Sequence, residues 1–129
     1  MSWWPLKRFC VGGPQYGMNT PASEYRSDGM RFIRTTDIVD VNTLTDDASA
    51  VYVDPGGVGP EHMLKQDDLL FSRSGTLGRC LRYQQPRVAS TFAGYLVRFR
   101  PRTDLASPRY LAYCAQANFF QEAIAADAI

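Results

Sequence analysis

Glycine and proline cut this chain into short pieces, and that limits what it can fold into. Gly12-Gly13-Pro14-Gln15-Tyr16-Gly17, then Asn19-Thr20-Pro21, make residues 12–29 loop-like rather than a long helix or strand. Asp54-Pro55-Gly56-Gly57 and Ser74-Gly75-Thr76-Leu77-Gly78 are further breaks. Between them lie short runs of strand-forming residues. Residues 30–38, Met-Arg-Phe-Ile-Arg-Thr-Thr-Asp-Ile, are rich in β-branched and aromatic side chains and predict a strand. A polar stretch follows from Asp40 to Ser49, then a short strand at Ala50–Val53. Leu69–Ser72 predicts a third strand, which a tight turn at 74–78 returns through Arg79–Tyr83 as a hairpin. Gly94–Arg100 is the clearest strand. Its alternation puts Tyr95, Val97 and Phe99 on one face and Leu96, Arg98 and Arg100 on a wet, basic one.

One segment has the other period. Ser107 is placed to cap a helix whose first turn accepts Pro108, and Tyr110, Tyr113, Ala117, Phe120 and Ile124 recur as one apolar stripe. Strands joined by long loops and followed by a helix are not the strict alternation that builds a parallel sheet, so the class is α+β. At 129 residues the chain has one core and one domain, 1–129.

Composition narrows the chemistry. No run of about 18 apolar residues occurs, so no span of a membrane is expected. Met1–Arg8 has no apolar core leading to a cleavage site, and Cys10, Cys80 and Cys114 are odd in number and far apart. A reducing cytoplasm, without disulfides or zinc, is the expectation. The net charge of +1 hides an asymmetry: residues 1–72 carry six basic and ten acidic side chains, whereas residues 73–109 carry eight arginines against Asp104 alone. Arginine's planar fork suits phosphates and the guanine edge. Such a stretch is either a solvated strand face or a polyanion-binding one.

Catalytic constellations are poorly supported. His62 is the only histidine, so neither a multi-histidine metal site nor a base beside Ser74 is available. Asp54, Glu61 and Lys65 loosely resemble a metal-dependent nuclease core, but three residues separate Glu61 from Lys65 where such cores need one. No GxxxxGK[ST] occurs, Gly75-Thr76-Leu77-Gly78 lacks a third glycine, and no Asn-Pro-Pro-Tyr-like segment is present. No cofactor is expected, and any methyl transfer would reside on another chain.

Three stretches together carry a resemblance. They are Trp4 through Gly17, with its Tyr-Gly turn; residues 30–38 followed by Leu64–Arg79; and Ala93–Pro101 with Pro108-Arg109-Tyr110-Leu111 opening the helix. In this order they resemble the target-recognition domains of type I restriction–modification specificity subunits, with residues 68–79 the most specific part and Asp67 where the family usually has glycine. The resemblance implies an irregular, strongly curved mixed or antiparallel sheet with long loops and a C-terminal helix, the fold of DNA methylase specificity domains. It also implies a non-catalytic role. The domain would read one half of a split DNA sequence, while methyltransferase subunits and a restriction subunit join the full complex. The spacer helix and second recognition domain are absent from 1–129, so the chain reads as a fragment or a trimmed half-size subunit. On this reading the DNA-binding residues are Tyr16, Arg34, Thr35, Arg73, Ser74, Gly75, Thr76, Arg79, Arg98 and Arg100. Arg73 or Arg79 would read guanine, and Arg98, Arg100 and Arg102 would hold phosphates. Two other readings stand beside it: a free-standing DNA-binding or anti-restriction module, and a small metal-dependent nuclease.

Overall fold

The computed structural model describes residues 9–46, 48–72, 79–84, 89–105 and 107–115. Nine short strands and one helix are found there: β1 Gln15–Tyr16, β2 Met30–Ile33, β3 Ile38–Asp40, β4 Thr43–Leu44, β5 Tyr52–Val53, β6 Leu69–Ser72, β7 Cys80–Arg82, β8 Ser90–Phe92, β9 Leu96–Phe99 and α1 Pro108–Ala115. The strongly curved sheet that was expected is not found among the described residues. The strands lie in three sheets, of order β1-β9-β6-β7, β5-β2-β8 and β3-β4. The first is antiparallel throughout, whereas β2 pairs parallel with β8 and antiparallel with β5, so the fold is mixed, as anticipated.

The four-stranded sheet is buried on both faces. Leu69, Phe71, Cys80, Val97 and Phe99 point to one side, where Leu111 and Ala112 of α1 and Cys10 cover them. Leu70, Leu81 and Leu96 point to the other, against Ile33 of β2, Phe92 of β8 and Leu64. The outer face of the three-stranded sheet holds Met30, Phe32 and Val53 under Met18, Tyr25 and Val58. The structure is thus layered as helix, sheet and sheet, each layer closing the apolar face of the next. Such burial contributes about 25 cal/mol per Å² of apolar surface removed from water.

This layering corrects two expectations. The wet, basic face of β9 is not wet: every residue of Leu96–Phe99 is buried, and Arg98 lies in the layer between the two sheets. The helix begins where expected, with the Tyr110 amide donating to the Ser107 hydroxyl at 3.4 Å, but Tyr110, the first residue of the expected stripe, does not pack inward. Among its described side chains Leu111 and Ala112 are buried, and Tyr110 is 62% exposed. The side chains of Tyr113, Ala117, Phe120 and Ile124 lie outside the described residues.

Local differences follow from hydrogen bonding. The expected strand 30–38 is broken by a 3-10 turn at Thr35–Asp37, because the Asp37 carboxylate pulls the backbone back on itself. The loop-like 12–29 stretch contributes β1 as an edge strand on β9. Strand β8 had no apolar alternation to announce it. Its Ser90 and Thr91 are buried because Tyr83 Oη donates to Ser90 Oγ at 2.9 Å, and Thr91 Oγ1 donates to the His62 carbonyl at 2.6 Å.

Asp67 has φ +69°, in the left-handed region that favours glycine, and its carboxylate accepts from Arg82 at 3.0 Å. The departure from glycine noted at this position is therefore a strained turn residue. Asp67→Gly and Asp67→Ala both remove the Arg82 pair, but only glycine tolerates the backbone. Urea denaturation is expected to find the glycine variant about 1 kcal/mol more stable than the alanine one. Equal stabilities would mean that the left-handed turn is not held in solution.

Candidate nucleic-acid interface

The β2 strand ends at the fully buried Ile33, and Arg34 follows as the first residue to turn outward. Three residues on, Asp37 is almost completely enclosed and gathers four donors: the Arg34 amide (2.9 Å), Arg34 Nε (3.0 Å), Arg34 Nη2 (3.0 Å) and Thr45 Oγ1 (2.8 Å). Arg34 Nη2 also donates to the Ser49 carbonyl at 3.0 Å. Burial alone would push the Asp37 carboxyl up. The Arg34 side chain and amide and the Thr45 hydroxyl outweigh it and hold the carboxyl below the usual carboxylate range. The same hydrogen bond raises the Arg34 guanidinium above its ordinary value, against a smaller burial cost. Arg34 is therefore a fixed side chain rather than a freely swinging one, and its side chain keeps 30% of its surface open.

That open surface faces a cleft of about 290 Å³. Three segments far apart in sequence build its walls: residues 18–20, 34–36 and 93–95. Gly17 brings the first against the third, since a Cβ there would overlap the Ala93 carbonyl. The Met18 amide donates across to the Phe92 carbonyl at 2.9 Å. The floor is apolar, with Phe32 and Ala93, and Tyr25 packs on Phe32 with ring centroids 5.6 Å apart. The rim is polar, with Asn19, Thr20, Thr36 and the exposed Tyr95. Thr35 also lines the cleft, and its hydroxyl is buried without a hydrogen-bond partner.

Of the residues anticipated from the sequence, Arg34 and Thr35 lie in this cleft. Tyr16 lies on β1 with its ring half exposed, two residues before Met18. Arg73, Ser74, Gly75 and Thr76 lie outside the described residues. Arg79 does not stand free beside the turn: its Nη1 donates to the carbonyls of Thr35 (3.1 Å) and Ile38 (2.9 Å), pinning the start of β7 to the same 35–38 turn. Arg98 and Arg100 are both engaged by neighbouring groups rather than free on a wet face. Arg98 is 8% exposed and donates to the Glu61 carbonyl at 2.7 Å. Burial, and then neighbouring Arg100, pull its guanidinium below the usual value against the opposing charge of Asp68. Arg100 grips the fully buried Asp68 through Nε (2.9 Å) and Nη2 (3.0 Å). Arg102 pairs with Asp104 at 3.1 Å on the surface. Asn19, Thr20, Tyr25, Thr36 and Tyr95 were not singled out from the sequence. The only local hints were the Asn-Thr in a Gly/Pro loop and a tyrosine at a Gly94 turn.

Burial pushes the thiols of Cys10 and Cys80 up to about 12, with the charge of Asp68 adding to it at Cys10. Asp54 accepts from the Gly56 amide at 2.9 Å, and Glu61 sits against His62 at 3.5 Å. Among the described residues no three His, Cys, Asp or Glu side chains gather as a metal site, and no helix is long and apolar enough to cross a membrane.

Asp37→Asn is expected to cost about 2–3 kcal/mol at neutral pH, since it removes one charge of an enclosed pair. The sign with pH follows from the lowered carboxyl. The stabilisation is complete above the ordinary aspartate range near pH ~4 and is lost as pH falls through the depressed folded value. Denaturation of both proteins between neutral and strongly acid pH should show the gap closing only in acid. A gap that is independent of pH would contradict the charge pairing.

No family model matches the chain, and no curated protein does. Solved structures do. The HsdS subunit from Thermoanaerobacter tengcongensis superposes with a TM-score of 0.66 at 19% identity, over 96% of this chain and 28% of that one. A chain from a study of complex assembly and conformational transition in the type I R-M system superposes with a TM-score of 0.64 at 21% identity, over 85% of this chain and 25% of that one. At this identity the likeness is one of fold, and this chain spans about a quarter of the length of the chains it matches.

Proposed function

We propose that this chain is a DNA target-recognition domain of a type I specificity subunit, reading one half of a two-part site and carrying no catalysis of its own. The observation that carries the reading is the fold match over nearly the whole chain to about a quarter of an HsdS subunit. That is the share expected of one recognition domain in a subunit that has two of them joined by long helices. Its partners would then be double-stranded DNA and, in the full complex, methyltransferase and restriction subunits, acting in the cytoplasm. The half-exposed Tyr16, the pinned Arg34–Asp37 turn and the mixed polar and aromatic cleft supply what recognition needs, namely fixed donors and acceptors on a rigid frame.

The test uses the full-length gene product co-expressed with its methyltransferase partner, with methylated bases mapped across the host genome. A split motif is expected, one half of which changes when residues 1–129 are exchanged for those of another specificity. No motif, or one indifferent to the exchange, would overturn the reading in favour of a free-standing DNA-binding module.

A further inference from the structure

Among the described residues, several arginines are engaged by the fold. Arg31 donates to the Thr45 carbonyl, Arg79 to two carbonyls, Arg98 to Glu61, and Arg82 and Arg100 to aspartates. A surface that binds DNA by charge needs open cations, because affinity for phosphates comes from neutralising them and releasing counterions. The cleft built by residues 18–20, 34–36 and 93–95 is different in kind. Its cation, Arg34, is already balanced by the enclosed Asp37, so the site as a whole is close to neutral. It is poorly suited to hold a phosphate and well suited to a neutral ligand that offers donors, acceptors and apolar edges.

Base edges in the major groove are such a ligand. Each base pair presents a distinct pattern of donors, acceptors and, for thymine, a methyl group. The cleft offers an amide at Asn19, hydroxyls at Thr20 and Thr36, the open side of the Arg34 guanidinium, and apolar contact from Tyr25 and Tyr95. Arg34 is held by Asp37 and Ser49 before any ligand arrives, so little side-chain entropy remains to be lost on binding. A neighbouring cleft of about 440 Å³ is lined by Glu24, Asp54 and Arg26, whose guanidinium lies 3.7 Å from the Asp54 carboxylate.

Resting on the reading of the chain as a DNA recognition domain, we propose that this cleft is its base-reading surface, with Asn19, Arg34, Thr36 and Tyr95 as specificity-determining residues. Arg98 of β9, with Arg100 just beyond it, then acts as framework only.

Asn19, Thr36 and Tyr95 are exposed and can be changed without opening the core. The single variants Asn19→Ala, Thr36→Ala and Tyr95→Ala, with Arg34→Lys beside them, are made in the full-length subunit in its methyltransferase complex. Genome-wide methylation then gives the motif, and DNA binding across a salt series gives the electrostatic slope. The expected result is a roughly ten- to a hundredfold loss of discrimination at one base position of this half-site for at least one exposed-residue variant. The slope of log affinity against log salt stays unchanged. An unchanged motif in all four variants would overturn the proposal and leave the recognition reading intact. Weaker binding to all sequences alike, with the slope reduced by about one, would overturn it in favour of phosphate holding. A wild-type complex without any split motif would sink the recognition reading itself, and this proposal with it.

Discussion

The structure depends on the burial of β6 and β9 from both sides. A strand covered on one face can point its polar residues at water, but one that is covered on both must satisfy them inside. Arg98 meets that constraint in part, since its Nε is buried without a partner, and Arg100 lies just beyond β9 with its side chain 25% exposed. Arg98 reaches the Glu61 carbonyl and Arg100 closes on Asp68, which also accepts from the Lys65 amide at 2.8 Å. These contacts tie the 61–68 segment to the middle of the sheet stack. Buried charge held this way is weak evidence of stability, because desolvation offsets much of the attraction. It does fix register, since a slip of β9 by one residue would turn Arg98 into the apolar layer that now holds Val97 and Phe99.

The same economy governs the 31–38 segment. Thr45 accepts from Arg31 and donates to Asp37, and Asp37 holds Arg34. A chain of four side chains thus converts the end of β2 into a rigid turn, and Arg79 braces that turn from the other side. A rigid turn beside a cleft is what separates a residue that discriminates between ligands from one that merely attracts them.

Much of the framework was legible in the sequence, because its signals are local. Leu69–Ser72, the returning strand at 80–82, the alternation at 96–99 and the Ser107-Pro108 helix start all rest on near-neighbour chemistry. Alternation, however, tells that two faces differ, not which of them is covered. Arg98 looks solvated until β2 and β8 are laid across its face of β9. Tyr110 departs from the expected stripe for a related reason: tyrosine is amphipathic, and it stays in water while Leu111 packs inward. Strand β8 was silent because its burial depends on hydrogen bonds to Tyr83 and His62, which no periodicity encodes. Arg34 and Thr35 could be picked out as the polar end of a strand. Asn19 and Tyr95 could not, because they meet only when loops more than 70 residues apart are brought together by β1, β8 and β9.

A structure of the full-length subunit, with its methyltransferase partners, on DNA carrying its own recognition sequence tests the account most directly. The account expects residues 19, 34–36 and 95 within hydrogen-bonding or van der Waals reach of base edges in the major groove. It also expects Arg98 still bonded to the Glu61 carbonyl and Arg100 to Asp68. Guanidinium groups of Arg98 and Arg100 on phosphates, with the cleft turned away from the duplex, would contradict it.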